Sequence, residues 1–249
     1  MDTNKIELAT AAVTGARHLR SARNGQDAAA SERCAAGAVV VVCDGCSGGV
    51  SSEVGAKLGA RFAARAVAAR LAAGAHVADP ALWRGIREQL VGAIAALAGD
   101  DPRVLEDCCL FTLVIGAVDR EHAAVWALGD GAYTLGDTTR VLGPFADNRP
   151  PYVAYDLLGD RAEPAFEVVP ASSIASLAVA TDGLLDLAPD DLNRFTRCIG
   201  HPDALRRELA LLARADEQID WNARRVTRTP ARLQDDCAIG AIRLRRSAS

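Results

Sequence analysis

Histidine is scarce in this chain of 249 residues: there are four, His18, His76, His122 and His201, and none forms a His-x-x-x-His or similar pair. That scarcity turns metal chemistry away from zinc, which favours nitrogen and sulfur ligands. Aromatic residues are only 4 % of the total, so the core must be mostly Ala, Val and Leu, within a hydrophobic content of 50 %. No uncharged apolar run reaches about 18 residues, so no membrane-spanning helix is expected. The opening MDTNKIELAT lacks a basic segment followed by an apolar one and does not read as a secretory signal. Neither sign of charge dominates: 28 basic against 32 acidic residues leave −4, which gives no support for nucleic-acid binding. The arginines that do cluster, at Arg224, Arg225, Arg228 and Arg232 and again at Arg243, Arg245 and Arg246, read as a solvated face. Seven cysteines, an odd number without extracellular markers, read as reduced thiols in a cytoplasmic protein.

What is present is a succession of short strands interrupted by helices. Ile6 to Thr14 reads as a first strand and Gly15 to Gln26 as a polar loop. The unbroken run AVVVVC, Ala38 to Cys43, is short and β-branched and predicts a buried strand. Ser52 to Ala73 repeats Ala, Leu and Phe at spacings of three and four, and Pro80 to Leu97 begins with a first-turn proline; both predict helices. Cys109 to Val118 and His122 to Leu128 predict paired strands, continued by Ala132 to Leu135 and Arg140 to Leu142. The Pro-rich stretch 143–161 predicts a long loop or flap. Phe166 to Val169, Ser176 to Ala180 and Cys237 to Leu244 predict further strands, Asp190 to Arg197 and Pro202 to Ala215 helices, and RRSAS a frayed tail. Such segregation predicts an α+β layered fold with antiparallel sheets, in a single domain spanning 1–249.

Four aspartates stand at chain reversals beside apolar runs: Asp44 in VVVVCDGCSGG, Asp130 in VWALGDGAY, Asp182 in LAVATDGLLD and Asp235 in QDDCAIGAI. A carboxylate at the end of a buried strand is costly unless something compensates it. Brought together, four such ends make an all-oxygen pocket suited to magnesium or manganese. Each Asp-Gly pair is also an ordinary turn dipeptide, so the metal reading depends on convergence. Cys43-Asp44-Gly45-Cys46 is formally a C-x-x-C, but the predicted helix begins several residues too late to lower a thiol pKa, and a zinc ribbon would need a second such pair.

These motifs together resemble the metal-dependent protein serine/threonine phosphatases of the protein phosphatase 2C (PPM) family, in a bacterial branch. The resemblance rests on Gly15-Ala16-Arg17-His18, Gln26-Asp27-Ala28, Asp44-Gly45-Cys46-Ser47, Gly55-Ala56 and the later GDG, TDG and DD motifs. It implies a four-layer α-β-β-α sandwich, two antiparallel sheets flanked by helices, with two or three Mn2+ or Mg2+ ions at one end. It implies that Asp44 bridges two ions, that the Gly45 carbonyl binds one, that Asp182 and Asp235 hold the first, that Asp27 supports the second and that Asp130 serves a third. Asp44, Asp182 and Asp235 are thereby the catalytic set, and Thr112 matches a threonine with a structural role.

The implied activity is hydrolysis of phosphoserine and phosphothreonine by a metal-activated water without a covalent phosphoenzyme, which leaves Cys43 and Cys46 as bystanders. The implied substrate is a phosphorylated protein, with a kinase as partner and no nucleic acid or membrane. The chain departs from the family pattern where many members carry a phosphate-holding arginine; His18 stands there, with Arg17 and Arg20 beside it. Three other readings stay open from the residues: a phosphatase-like module that binds phosphate without turnover, a redox or zinc protein using Cys43 and Cys46, and a plain α+β scaffold with ordinary turns.

Overall fold

A computed structural model of the chain describes residues 6–187, 191–201 and 203–245. The run AVVVVC lies in β3 (Gly37–Cys43), buried along its whole length. An apolar run without alternation means that both faces of a strand are covered. Val39, Val41 and Cys43 pack beneath two helices, α2 (Ser52–Ala72) and α3 (Pro80–Ala98), while Ala38, Val40 and Val42 pack against a second sheet.

The sheet containing β3 runs in the order β2 (Ala28–Cys34), β3, β4 (Leu113–Val118), β5 (His122–Leu128), β8 (Ala165–Pro170). The second runs β1 (Ile6–Val13), β12 (Cys237–Leu244), β9 (Ser176–Ala180), β6 (Gly131–Leu135), β7 (Thr138–Leu142). All neighbours in both sheets are antiparallel. The sheets approach closely because small residues face each other's branched ones. A Cβ on Gly116 would lie 2.2 Å from Leu177 Cδ2, and one on Gly240 would lie 2.8 Å from Val40 Cβ. The outer face of the second sheet is covered by α5 (Asp191–Phe195) and α6 (Ala204–Leu212), through Leu192, Phe195, Leu205 and Leu209. The result is a four-layer α-β-β-α sandwich, the arrangement that the resemblance implied.

Several elements differ from the sequence reading. The loop after β1 contains a short helix, α1 (Ala16–Ser21), and β2 went unread because AAASERC turns polar along its length. The strand expected from Cys109 starts at Leu113, since α4 (Pro102–Cys108), capped by Asp101, occupies the approach. An exposed hairpin of β10 (Asp216–Asp220) and β11 (Arg225–Thr229) carries no apolar alternation to betray it. The segment 143–161 is irregular as expected but anchored. Tyr152, Val153 and Ala154 are buried, and Arg87 of α3 grips Asp156 at 2.8 and 2.5 Å while donating to the Ala162 carbonyl at 2.8 Å. Among the described residues no helix is long and apolar enough to cross a membrane. Asp190, Pro202 and the tail from residue 246 lie outside the described residues.

Candidate active site

Strand register decides where the aspartates go. Ala28 pairs with Cys43, so Asp27 and Asp44 leave the first sheet side by side. Ala180 pairs with both Ile239 and Ala132, which brings Asp182, after β9, to the end where Asp130 enters β6 and Asp235 precedes β12. Residues from five strand ends therefore meet at one end of the sandwich.

Their electrostatics records the meeting. Burial, then the negative charges of Asp27, Asp182 and Asp130, holds the Asp44 carboxyl well above the usual carboxylate range. Burial also pushes Asp27 up to about 8, partly offset by hydrogen bonds from Thr181 and Asp44 and reinforced by the charges of Asp236 and Asp182. Asp182 rises to about 6 through burial and the charges of Asp130 and Asp235. Asp130 is raised by burial as well. Asp44 shares hydrogen bonds with Asp27 and Asp182, which carboxyl pairs can do only when one member keeps a proton.

This donor set fits a hard divalent cation. It is all oxygen and anionic, and the buried Asp130 Oδ1 has no hydrogen-bond partner. Among the described residues, however, no three acidic, imidazole or thiol groups stand ready to hold one ion.

Backbone supports hold the cluster in place. Thr112 donates its backbone N–H to the Asp44 carbonyl at 2.8 Å and accepts from the Asp44 N–H at 3.3 Å through its hydroxyl. Thr181 Oγ1 donates to Asp27 at 2.5 Å and accepts from Ala238 N–H at 2.8 Å. Gln26 donates through Nε2 to Ser52 Oγ at 2.6 Å and to the Cys46 carbonyl at 3.2 Å, tying the Asp44-Gly45-Cys46 turn to the start of α2. A Cβ on Gly45 would meet the Gln26 carbonyl and Ser52 at 2.9 Å, so this turn admits only glycine without a shift.

The sequence reading assigned a role to Asp235 alone, and the structure gives its neighbour Asp236 a distinct one. Asp235 is half-exposed and faces the acidic cluster. Asp236 is buried and accepts from Gly15 N–H at 2.8 Å, Gln26 N–H at 2.6 Å and His18 Nδ1 at 2.8 Å. His18, expected at the phosphate, thus has one ring nitrogen committed to this buried anchor. Arg17 is the exposed cation beside the cluster, with Nη1 3.7 Å from Asp235, and Arg20 reaches Gln234 instead. Tyr152, from 143–161, was missed. It hydrogen-bonds Cys46 and feels the Asp44 charge, and Tyr155 packs edge-on to it at 5.2 Å. A tyrosine in a proline-rich stretch of an aromatic-poor chain was the only available signal. Cys43 is buried and its thiol is held well above its ordinary value, and no cysteine is disulfide-bonded among the described residues.

Comparison with known proteins decides the family: residues 14–219 match the model of the family described as protein phosphatase 2C. The chain belongs to the protein phosphatase 2C family. It is accordingly a metal-dependent serine/threonine phosphatase, and the binding-module and thiol readings lose their support. No curated protein matches the chain. Solved structures share the protein phosphatase 2C fold across almost the whole length. The serine/threonine phosphatase Stp1 from Staphylococcus aureus superimposes with a TM-score of 0.64 at 14 % identity, covering 97 % of this chain and 96 % of that one. PppA, a regulatory component of a type VI secretion system in Pseudomonas aeruginosa, gives 0.60 at 17 % identity, covering 96 % and 97 %. The catalytic domain of PstP, solved with two manganese ions, gives 0.59 at 13 % identity, also covering 96 % and 97 %. The family match ends before Asp235, so the last acidic turn is placed by the pairing of β12 with β1 and β9.

Proposed function

We propose that this phosphatase dephosphorylates phosphoserine and phosphothreonine on a protein in the cytoplasm, a substrate of a kinase, using Mn2+ or Mg2+ held by Asp44, Asp182, Asp235 and the Gly45 carbonyl. Asp27 would support a second ion, and Asp130 would serve a third. The observation that carries this is the convergence of Asp27, Asp44, Asp130, Asp182 and Asp235 at one end of the sandwich, where burial and neighbouring negative charge hold the Asp27, Asp44 and Asp182 carboxyls above the usual carboxylate range. When bound, the divalent cations lower the pKa of an attacking water and neutralise phosphoryl oxygens.

The chain's own residues do the rest. The carboxyls give up retained protons to become ligands. Thr112, Thr181 and Gln26 fix the turns that carry them. Arg17 draws the phosphate toward Asp235 and then pairs with it, an exchange of one anion for another. Residues 1–249 act as one catalytic domain, and 143–161 is its flap, laying Tyr152 and Tyr155 at the edge of the acidic cluster. The test is hydrolysis of p-nitrophenyl phosphate and of a phosphothreonine peptide with manganese, magnesium or chelator. Turnover with a divalent ion and none with chelator is expected; turnover in chelator, or Asp182→Ala with full activity, would overturn the assignment.

A further inference from the structure

A groove of about 770 Å3 lies away from the acidic cluster, between α2 and α3. Leu58, Phe62 and Leu97 form its exposed walls at 53 %, 36 % and 51 % accessibility, and Leu90, Ile94 and Phe111 form its buried floor. Gly55 and Gly59 keep the floor deep: a Cβ on Gly59 would lie 2.5 Å from the Phe111 ring. The apolar wall belongs to a longer stripe. Val50, Val54, Leu58 and Phe62 recur every fourth residue, and all are exposed. Continuous exposed apolar surface of this kind marks a binding face rather than ordinary surface scatter.

Charge says what kind of partner fits. The chain as a whole is at −4, yet α2 carries Lys57, Arg61, Arg65 and Arg70 against a single acid, Glu53, which is already hydrogen-bonded to Asn24. Arg61 and Arg65 line the groove and make no ion pair among the described residues. Glu32 shares an adjoining depression with them without pairing. The groove follows α2 from Gly55 to Ala69, roughly 21 Å at the rise of an α-helix, or four turns.

We infer that this groove docks an amphipathic helix of a partner protein, with its apolar face against Leu58, Phe62 and Leu97 and acidic flanks against Arg61 and Arg65. Helix-in-groove recognition needs an apolar trough for residues at i, i+4 and i+7 and a rim charge that sets orientation; both are here.

The probe is a random peptide library of about 16 residues, long enough to fill the groove as a helix. It is selected on the full chain and counter-selected against the Leu58→Glu, Phe62→Glu double variant. Enriched peptides are expected to place apolar residues at helical spacing and to carry net negative charge. Their affinity falls at least about tenfold on the double variant. It falls about two- to fivefold on Arg61→Ala or Arg65→Ala, and this loss shrinks at high salt. Circular dichroism confirms that the variants fold; should glutamate unfold the chain, Phe62→Ser makes the same reading. No enrichment over the variant, or enrichment of neutral or basic peptides, overturns the inference. So does light scattering that finds a wild-type dimer and a monomeric double variant, since the occupant is then a second copy of the chain. None of these readouts depends on phosphatase activity.

Discussion

His18 and Asp236, 218 positions apart in sequence, meet at 2.8 Å, and the same carboxylate takes the backbone N–H groups of Gly15 and Gln26. A single buried side chain thus ties the loop before α1, the approach to β2 and the entry to β12. Its neighbour Asp235 faces the other way, toward Asp182 and Arg17. Removing either carboxylate should give opposite signatures. Asp236→Ala leaves three donors unsatisfied and should cost at least about 3 kcal/mol, seen as a large drop in melting temperature. Asp235→Asn should leave the metal-free melting temperature nearly unchanged while weakening manganese activation by an order of magnitude or more, about what loss of a single ligand-shell group costs. Thermal melts and manganese titrations of both variants check the division; equal melting losses would refute it.

Proton affinity in the cluster sets a pH dependence. Asp182 is raised to about 6 and Asp27 to about 8, both chiefly by burial. A carboxyl whose folded pKa exceeds its unfolded value binds more protons folded than unfolded. The metal-free chain should therefore lose stability as pH rises from about 4 through 6 and on toward 8. Cations and protons compete for these oxygens, so manganese binding should release protons, and apparent affinity should climb over the same range. Calorimetric titration with manganese in buffers of different ionisation enthalpy measures the release directly. Asp182→Asn, which removes one of the repelling charges, should raise metal-free stability at pH 8 by on the order of 2 kcal/mol while abolishing hydrolysis.

Much of this was legible because the strands are covered on both faces. A two-sided burial writes an unbroken apolar run, and an aspartate after such a run is conspicuous, as with AVVVVC and Asp44. β2 and the β10–β11 hairpin were illegible for the opposite reason: one turns polar along its length, the other is exposed throughout. The site divided similarly. Asp44, Asp130, Asp182 and Asp235 could be picked out by their turns, but nothing local separates Asp235 from Asp236. Only the register of β12 against β1 and β9 assigns one to the cluster and the other to the scaffold. The hydrogen bond of His18 was illegible because its partner, Asp236, lies at the far end of the chain.

Segment 143–161 is held by the Arg87–Asp156 pair, both side chains nearly inaccessible. Breaking a buried pair from one side strands a charge, so Arg87→Ala or Asp156→Ala alone should cost about 3–5 kcal/mol. The double variant should cost clearly less than the two losses added, because neither charge is then left alone. If 143–161 acts as the flap, loosening it should also raise KM for a phosphopeptide more than for p-nitrophenyl phosphate, which is too small to reach Tyr152 and Tyr155 together. Chemical denaturation and paired kinetics on the three variants test both statements. Additive stability losses would show that the pair is not coupled, and equal KM changes would show that the segment does not touch the peptide.

Gly183 offers the sharpest steric test of how the acidic turns are assembled. It follows Asp182, and a Cβ there would lie 1.7 Å from the Asp236 carbonyl oxygen, which is backbone and cannot swing aside. Gly183→Ala must therefore push the turn carrying Asp182 away from the turn carrying Asp235 and Asp236. Overpacking of this kind costs about 1–3 kcal/mol. The displacement should also separate Asp182 from Asp235 and Asp44. The variant should then show a lower melting temperature together with a weaker manganese requirement curve, its half-maximal concentration shifted upward. Gly48→Ala serves as the control, since its nearest contact, the Cys46 sulfur, is at an ordinary 3.7 Å. A Gly183→Ala protein that melts and binds manganese like the wild type would mean that the two turns are not in contact.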